Sequence, residues 1–170
     1  MGILSKEVIL KEIREKRIKI EPFQENQIDS GGCITLHLSN VFHIFKKLKP
    51  VTKLSEDTSP DATSDKIILG QGDYLLLLPG EMVIGYTKEK ISLPEDICGW
   101  IVGRGRFSRM GLLVELASGF VYPGLPSQQL FLNLINLNIA AIALYPETSI
   151  CHLILERMEG QGSYKGMFTT

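Results

Sequence analysis

Arg104, Arg106 and Arg109 fall within six residues of one another, and Gly103 and Gly105 sit among them. A guanidinium group is planar, always charged, and offers paired N–H donors that match two oxygens of a phosphate. Successive backbone N–H groups in a tight turn add further donors to an anion. Gly105, without a side chain, lets the backbone come close to a bound group. By spacing alone, this segment is either a phosphate-binding turn or a solvated basic turn.

Metal chemistry has little to draw on. Cys33, Cys98 and Cys151 are widely spaced, form no C-x-x-C pair, and stand at no ligand spacing from His37, His43 or His152. The H-x-E and P-C-x-x-C signature of the zinc deaminases is absent, so any deamination here would run without zinc. An odd, scattered set of cysteines argues against a disulfide framework and for a reducing compartment, which predicts a cytoplasmic protein. The net charge of −1 offers no positive field for nucleic acid. The charged opening stretch reads as neither signal peptide nor anchor, and no segment approaches the ~18 apolar residues of a membrane span.

The elements that must position the arginine turn are mostly strands. Ser5 can cap a helix over Lys6 to Lys16, where Val8, Ile9 and Ile13 recur at helical spacing. Ile18 to Ile20 alternates and ends at Pro22. Ile34, Leu36 and Leu38 alternate with Thr35 and His37, which predicts a half-buried strand entered through Gly31-Gly32. Residues 49–66 are polar with two prolines, and predict an exposed loop. From there short apolar runs alternate with turn signals: 67–69, 74–78, 82–87, 97–102, 112–117, 130–135, 139–144 and 149–156. Many short strands with frequent turns predict a β-barrel or jelly-roll-like sandwich. The 170 residues read as a single domain, with a flexible glycine-rich tail from Gly160 to Thr170.

Several stretches, in order along the chain, resemble dCTP deaminase and its bifunctional dCTP deaminase/dUTPase relatives. They are Ile20-Glu21-Pro22-Phe23, Leu36-His37-Leu38-Ser39-Asn40, Leu78-Pro79-Gly80-Glu81, and Ile91-Ser92-Leu93-Pro94 with Gly99-Trp100. The run from Gly103 to Leu112 resembles the phosphate-binding motif G-R-S-S-L-x-R-x-G-L. Ala143 to Pro146, Leu153 to Glu156, and Gly162-Ser163-Tyr164-Lys165-Gly166 resemble later strands and the tail that closes over the nucleotide. The resemblance implies a mostly β, distorted jelly roll of the dUTPase-like type with a short N-terminal helix. It implies a homotrimer with sites between subunits, and a dCTP or dUTP ligand carrying Mg²⁺.

Residue by residue, the resemblance assigns phosphate to Arg104, Gly105, Arg106 and Arg109. It assigns base and sugar to Ser118, Gly119, Tyr122, Tyr164 and Lys165. The departures fall on the chemistry. The family's water-activating glutamate, in an L-E-x-x-N strand, is Asn133 within Leu132 to Asn136, and a neutral amide is no base. The dUTPase aspartate of G-V-I-D is Tyr122, and the two motif serines are Gly105 and Arg106. The aspartate and arginine of the D-L-R-L strand are Thr35 and His37, and a later glutamine is His152. Glu115 is the nearest spare carboxylate in sequence. The expectation is a protein of deoxynucleotide metabolism that converts dCTP to dUTP if active. The alternatives are a dUTP diphosphatase and a nucleotide-binding homologue without turnover.

Overall fold

The computed structural model describes residues 2–46, 63–115 and 119–164. Ser118, Lys165 and residues 49–62 of the expected loop lie outside them. The chain opens on helix α1 (Lys6–Arg14), with Ser5 as its cap: the Ser5 hydroxyl accepts from Val8 N at 3.5 Å. Ile9 turns fully into the core. Strands follow: β1 (Lys19–Glu21), β2 (Ile34–Phe45), β3 (Ser64–Ile68), β4 (Leu75–Leu77), β5 (Met82–Ser92) and β6 (Ile97–Gly103). A one-turn helix α2 (Gly105–Ser108) precedes β7 (Leu112–Glu115), β8 (Phe120–Val121), β9 (Gln128–Asn136), β10 (Ile142–Leu144) and β11 (Ser149–Arg157).

One antiparallel sheet runs β7-β9-β5-β2-β11-β6-β8, with β1 added to β5 and β3 to β2, while β10 pairs with β4. The sheet curls until the end of β6 meets β7. A Cβ on Gly103 would lie 3.0 Å from the Val114 carbonyl oxygen, so that approach needs glycine. The inward residues of alternating strands fill one core, in which Leu36, Leu38, Phe42, Leu132, Leu134, Leu153 and Leu155 are fully buried. This is the expected mostly β, dUTPase-like jelly roll, seen as a curled half-barrel with a short N-terminal helix.

The ladder register shifts at three places, in β11 between Ser149 and Cys151, in β2 and in β5. In β2 the register shifts between Leu38 and Phe42, and the Ser39 hydroxyl accepts from Val41 N at 3.3 Å. The bulge bends β2 without ending it, so the strand joins β11 at one end and β3 and β5 at the other. In β5 the register shifts between Tyr86 and Lys90. There the Thr87 hydroxyl donates to Glu89 O at 2.8 Å and accepts from Leu130 N at 2.9 Å. The alternation of β5 carries through this bulge: Val83, Gly85, Thr87, Glu89 and Ile91 all face inward, so Glu89 is 1% exposed although Lys88 and Lys90 flank it.

Two sequence expectations are corrected. The exposed loop of 49–66 ends earlier, because Ser64, Asp65 and Lys66 belong to β3 and pair with β2. The tail of 160–170 is docked over its described part: Gly162 N donates to Glu95 O at 2.8 Å, and Tyr164 packs against the core. Residues 165–170 lie outside the described residues.

Candidate functional site

Arg104 is the cap residue of α2, with extended backbone (φ −77°, ψ 126°). Its guanidinium donates to Ser149 O at 3.1 Å and lies 6.0 Å from the centre of the Phe107 ring. That anchor points Arg104 toward β11. Arg106 and Arg109 are exposed. A Cβ at Gly105 would meet nothing within 4 Å, so the space above the turn is open to a ligand. The turn is closed behind by Gly111 (φ +82°), where a Cβ would lie 2.8 Å from Asn138. A left-handed backbone and that close approach both require glycine there.

Asn133 sits on β9 between the buried Leu132 and Leu134, so its side chain faces outward, half-exposed. In the β7–β9 register, Glu115 is its direct cross-strand partner. Side chains opposed in this way share one face, with Cβ atoms about 4.5–5.5 Å apart. The sequence distance between Glu115 and Asn133 hides this pairing. Glu115 is exposed.

Of the expected base-binding residues, Tyr122 and Tyr164 form a third patch. Gly119 has φ +65°, and β8 leads into Tyr122, which is 43% exposed. Trp100, Phe120, Tyr122 and Tyr164 make a chain of ring contacts with centroids 5.0, 5.1 and 5.3 Å apart. The tail crosses the turn at Gly124 (φ +66°), where a Cβ would lie 3.2 Å from Ser163 Cα. Tyr164 therefore stands beside Tyr122, and Gly162 to Tyr164 lie against residues 122–124. Arg104 is thus anchored on Ser149, Glu115 faces Asn133 across β7 and β9, and Tyr122 packs beside Tyr164.

A cavity of about 440 Å³ opens beside the arginine turn, and neither Asn133 nor Glu115 lines it. Arg104, Ser149, Thr35 and His37 contribute to its wall, with Glu89 behind them. Glu89 Oε1 accepts from His37 Nδ1 at 2.7 Å and Gln27 Nε2 at 2.9 Å, and Oε2 accepts from His37 N at 2.9 Å. Thr35 Oγ1 stands 3.4 Å from His152 Nδ1. Burial, and next the nearby Arg104 charge, hold His152 below the usual imidazole range, against a smaller upward pull from Asp29. Burial, with the Glu89 charge second, pushes the Cys151 thiol up to about 12, so this cysteine stays a buried thiol. Sequence reading found His37 only as a replaced arginine. It did not find Glu89, since Lys-Glu-Lys reads as a solvated strand edge.

The curled antiparallel half-barrel with its short N-terminal helix is a dUTPase-like fold. More specifically, the chain belongs to the dCTP deaminase-like family, whose model matches residues 3–158. The dCTP deaminase of Marinomonas sp. is 33% identical over 159 residues, covering 89% of this chain and 81% of the relative. The dUMP-forming dCTP deaminase of Nocardia farcinica is 32% identical over 162 residues, covering 95% of this chain and 80% of the relative. Among solved structures, the 2'-deoxycytidine 5'-triphosphate deaminase of Agrobacterium tumefaciens superposes with a TM-score of 0.68 at 16% identity. That match covers 93% of this chain and 48% of the other, so this chain spans about half of it. Among the described residues, no helix is long and apolar enough to cross a membrane.

Proposed function

We propose that this protein acts in pyrimidine deoxynucleotide metabolism, binding dCTP and hydrolysing its C4 amino group slowly, with Glu115 as the proton acceptor. The observation that carries this reading is the register that sets Glu115 directly across from Asn133. Glu115 takes a proton from water as the water oxygen bonds to C4. The C4–N bond then breaks, and the proton passes to the departing ammonia. Asn133 can orient the water through its amide but cannot take the proton. Arg104, Arg106 and Arg109 hold the triphosphate, and Gly105 leaves it room. Tyr122 and Tyr164, with Ser118, Gly119 and Lys165, cover the base and sugar.

Mg²⁺ would come with the nucleotide and neutralise phosphate charge. Among the described residues no group of three or more His, Cys, Asp or Glu is placed to hold an ion. Arg104 and its neighbours would carry the rest of the phosphate charge. The separation of the three patches favours assembly as a cytoplasmic homotrimer, in which neighbouring copies bring them together. Exposed Trp100, Val102, Tyr122 and Phe131 supply apolar surface for such contacts.

A second reading, nucleotide binding without turnover, is favoured by Asn133 and Tyr122 standing where the family carries carboxylates. One pair of measurements separates the two. A thermal-shift screen against the deoxynucleoside triphosphates with Mg²⁺ reports binding, because a ligand of the folded state raises its melting temperature. Ammonia release from dCTP reports turnover. A shift with slow ammonia release supports deamination, and a shift without release supports the second reading. The absence of any shift contradicts both.

A further inference from the structure

The two-stranded ribbon of β4 and β10 lies apart from the main sheet. Leu75, Leu77 and Leu144 are its buried side chains. In a half-buried strand the alternate, outward positions are normally polar. Here they are apolar. Leu76, opposite Ala143, and Leu78 are both half-exposed. At one end of the ribbon the half-exposed rings of Tyr74 and Tyr145 lie 5.2 Å apart. Residues 74–78 and 139–145 contain no charged side chain. The other end leads into the turn of residues 137–140, where Leu137 is exposed and Ile139 is 96% exposed. Asn138 N donates to Asn136 Oδ1 at 2.8 Å, Ala140 N to Asn138 Oδ1 at 3.1 Å, and Asn138 Nδ2 to Met110 O at 2.9 Å. A built turn therefore holds these two aliphatic side chains out to solvent. Single exposed apolar residues need no explanation, but a contiguous set of this kind marks a contact surface.

The charges at the two ends of this face are opposite. At the tyrosine end Lys88 and Glu147 neutralise each other, and exposed Asp73 accepts from Gly70 N but has no cationic partner among the described residues. That end is negative. At the other end exposed Arg106 and Arg109 precede Met110, against the single carboxylate of Glu81 in the turn after Leu78. That end is positive. A two-fold axis across the middle of the ribbon lays the negative end of one copy on the positive end of the other, twice over. A bilayer, or a partner of uniform charge, matches one end and opposes the other. A half-exposed side chain of this size offers about 100 Å², so Tyr74, Leu76, Leu78, Leu137, Ile139 and Tyr145 present roughly 600 Å² per copy. Two copies then bury about 1,200 Å², the lower edge of stable interfaces, so the pairing is weak and forms well above micromolar concentration.

We propose that the β4–β10 face, with the turn of residues 137–140, pairs with the same face of a second copy across a two-fold axis. It uses residues other than the Trp100, Val102, Tyr122 and Phe131 offered to the trimer contact, so it joins one such assembly to another. It rests on neither nucleotide binding nor deamination.

Sedimentation equilibrium of the full chain, from about 1 to about 500 μM, is the test. The average mass should rise about twofold or more above its micromolar value. Leu76→Glu and Ile139→Glu change exposed side chains and should leave the fold intact. Each should hold the mass at its micromolar value across the range. Asp73→Arg alone and Arg109→Asp alone should do the same, because each sets like charges together at both ends of the contact. An equimolar mixture of these two variants pairs opposite charges at both ends and should recover the rise. Thermal melting checks that each variant is folded. If an end-charge variant is not, the Leu76 and Ile139 variants decide. A parent of constant mass, or an undiminished rise in Leu76→Glu and Ile139→Glu, would overturn the proposal. A mixture of folded variants that shows no rise would overturn it too. Binding to phosphatidylcholine or phosphatidylserine vesicles that Leu76→Glu abolishes, in a parent of constant mass, would give the face to a membrane instead.

Discussion

Glu12→Gln should destabilise the fold by about 2 kcal/mol without changing its shape. Glu12 is nearly buried on the inner side of α1, and its carboxylate accepts from Arg17 Nε at 2.6 Å and from Arg157 Nη2. Both arginines also reach Asp96, Arg17 through Nη2 and Arg157 through Nη1, each at 2.7 Å. The cluster joins the N-terminal helix to the start of β6 and the end of β11. A hydrogen bond to a charged group is worth about 1.5–3 kcal/mol, and two are weakened here. The arginine side chains are 41% and 39% exposed and keep Asp96, so solvent and the remaining carboxylate recover part of the loss. The net of about 2 kcal/mol corresponds to roughly 4–8 °C in Tm for a domain of this size. Burial pushes the Glu12 carboxyl upward, but its bonds and charges from Arg17 and Arg157 outweigh this, holding it below its ordinary value of 4.5. The Glu12 contribution is therefore present above that value and lost as the pH falls through the lowered one. Urea denaturation from pH 7 downward should show the parent losing stability more steeply in acid than Glu12→Gln does. A cost below about 0.5 kcal/mol at pH 7, or parallel pH profiles, would refute the reasoning.

Three further outcomes are expected. Asn136→Ala should cost about 2–4 kcal/mol in urea denaturation, because buried Asn136 donates to Leu77 O and Ala140 O at 2.9 Å and accepts from Asn138 N at 2.8 Å. Its loss strands the buried Leu77 carbonyl and frees two part-buried backbone groups of the turn before β10. Arg104→Ala and Arg109→Ala should each weaken triphosphate binding by about 1.5–3 kcal/mol in calorimetry, with unchanged affinity for both as the contrary result. Light scattering at micromolar concentration should give the mass of a trimer, and a monomer would count against sites built between copies.

The fold was legible where local signals and tertiary pairing agree. Ser5 and the apolar spacing of Val8, Ile9 and Ile13 mark α1, and the turns at Gly70 to Asp73 and at Pro79-Gly80 separate strands as expected. The extent of β2 was not legible. Ser39-Asn40 breaks the alternation after Leu38, and the bulge and the pairing with β3 and β5 carry the strand onward to Phe45. The two residues of β8 are too few for any period, and α2 reads as a turn because it is one turn long. At the site, motif spacing marked the arginine turn and the replacement at position 133, and the pairing of Glu115 with Asn133 needed the register. Glu89 was hidden because the flanking lysines suggest a solvated edge, although the alternation of β5, with Val83, Gly85, Thr87 and Ile91 inward, carries Glu89 onto the buried face.

The most direct measurement is the rate of ammonia release from dCTP by the parent and by Glu115→Gln, each checked for undiminished nucleotide binding by thermal shift. General-base help is typically worth about 10²–10⁴-fold, so the account predicts slow release by the parent and a fall of that order in Glu115→Gln. Equal release by the two proteins, with binding intact, would contradict it.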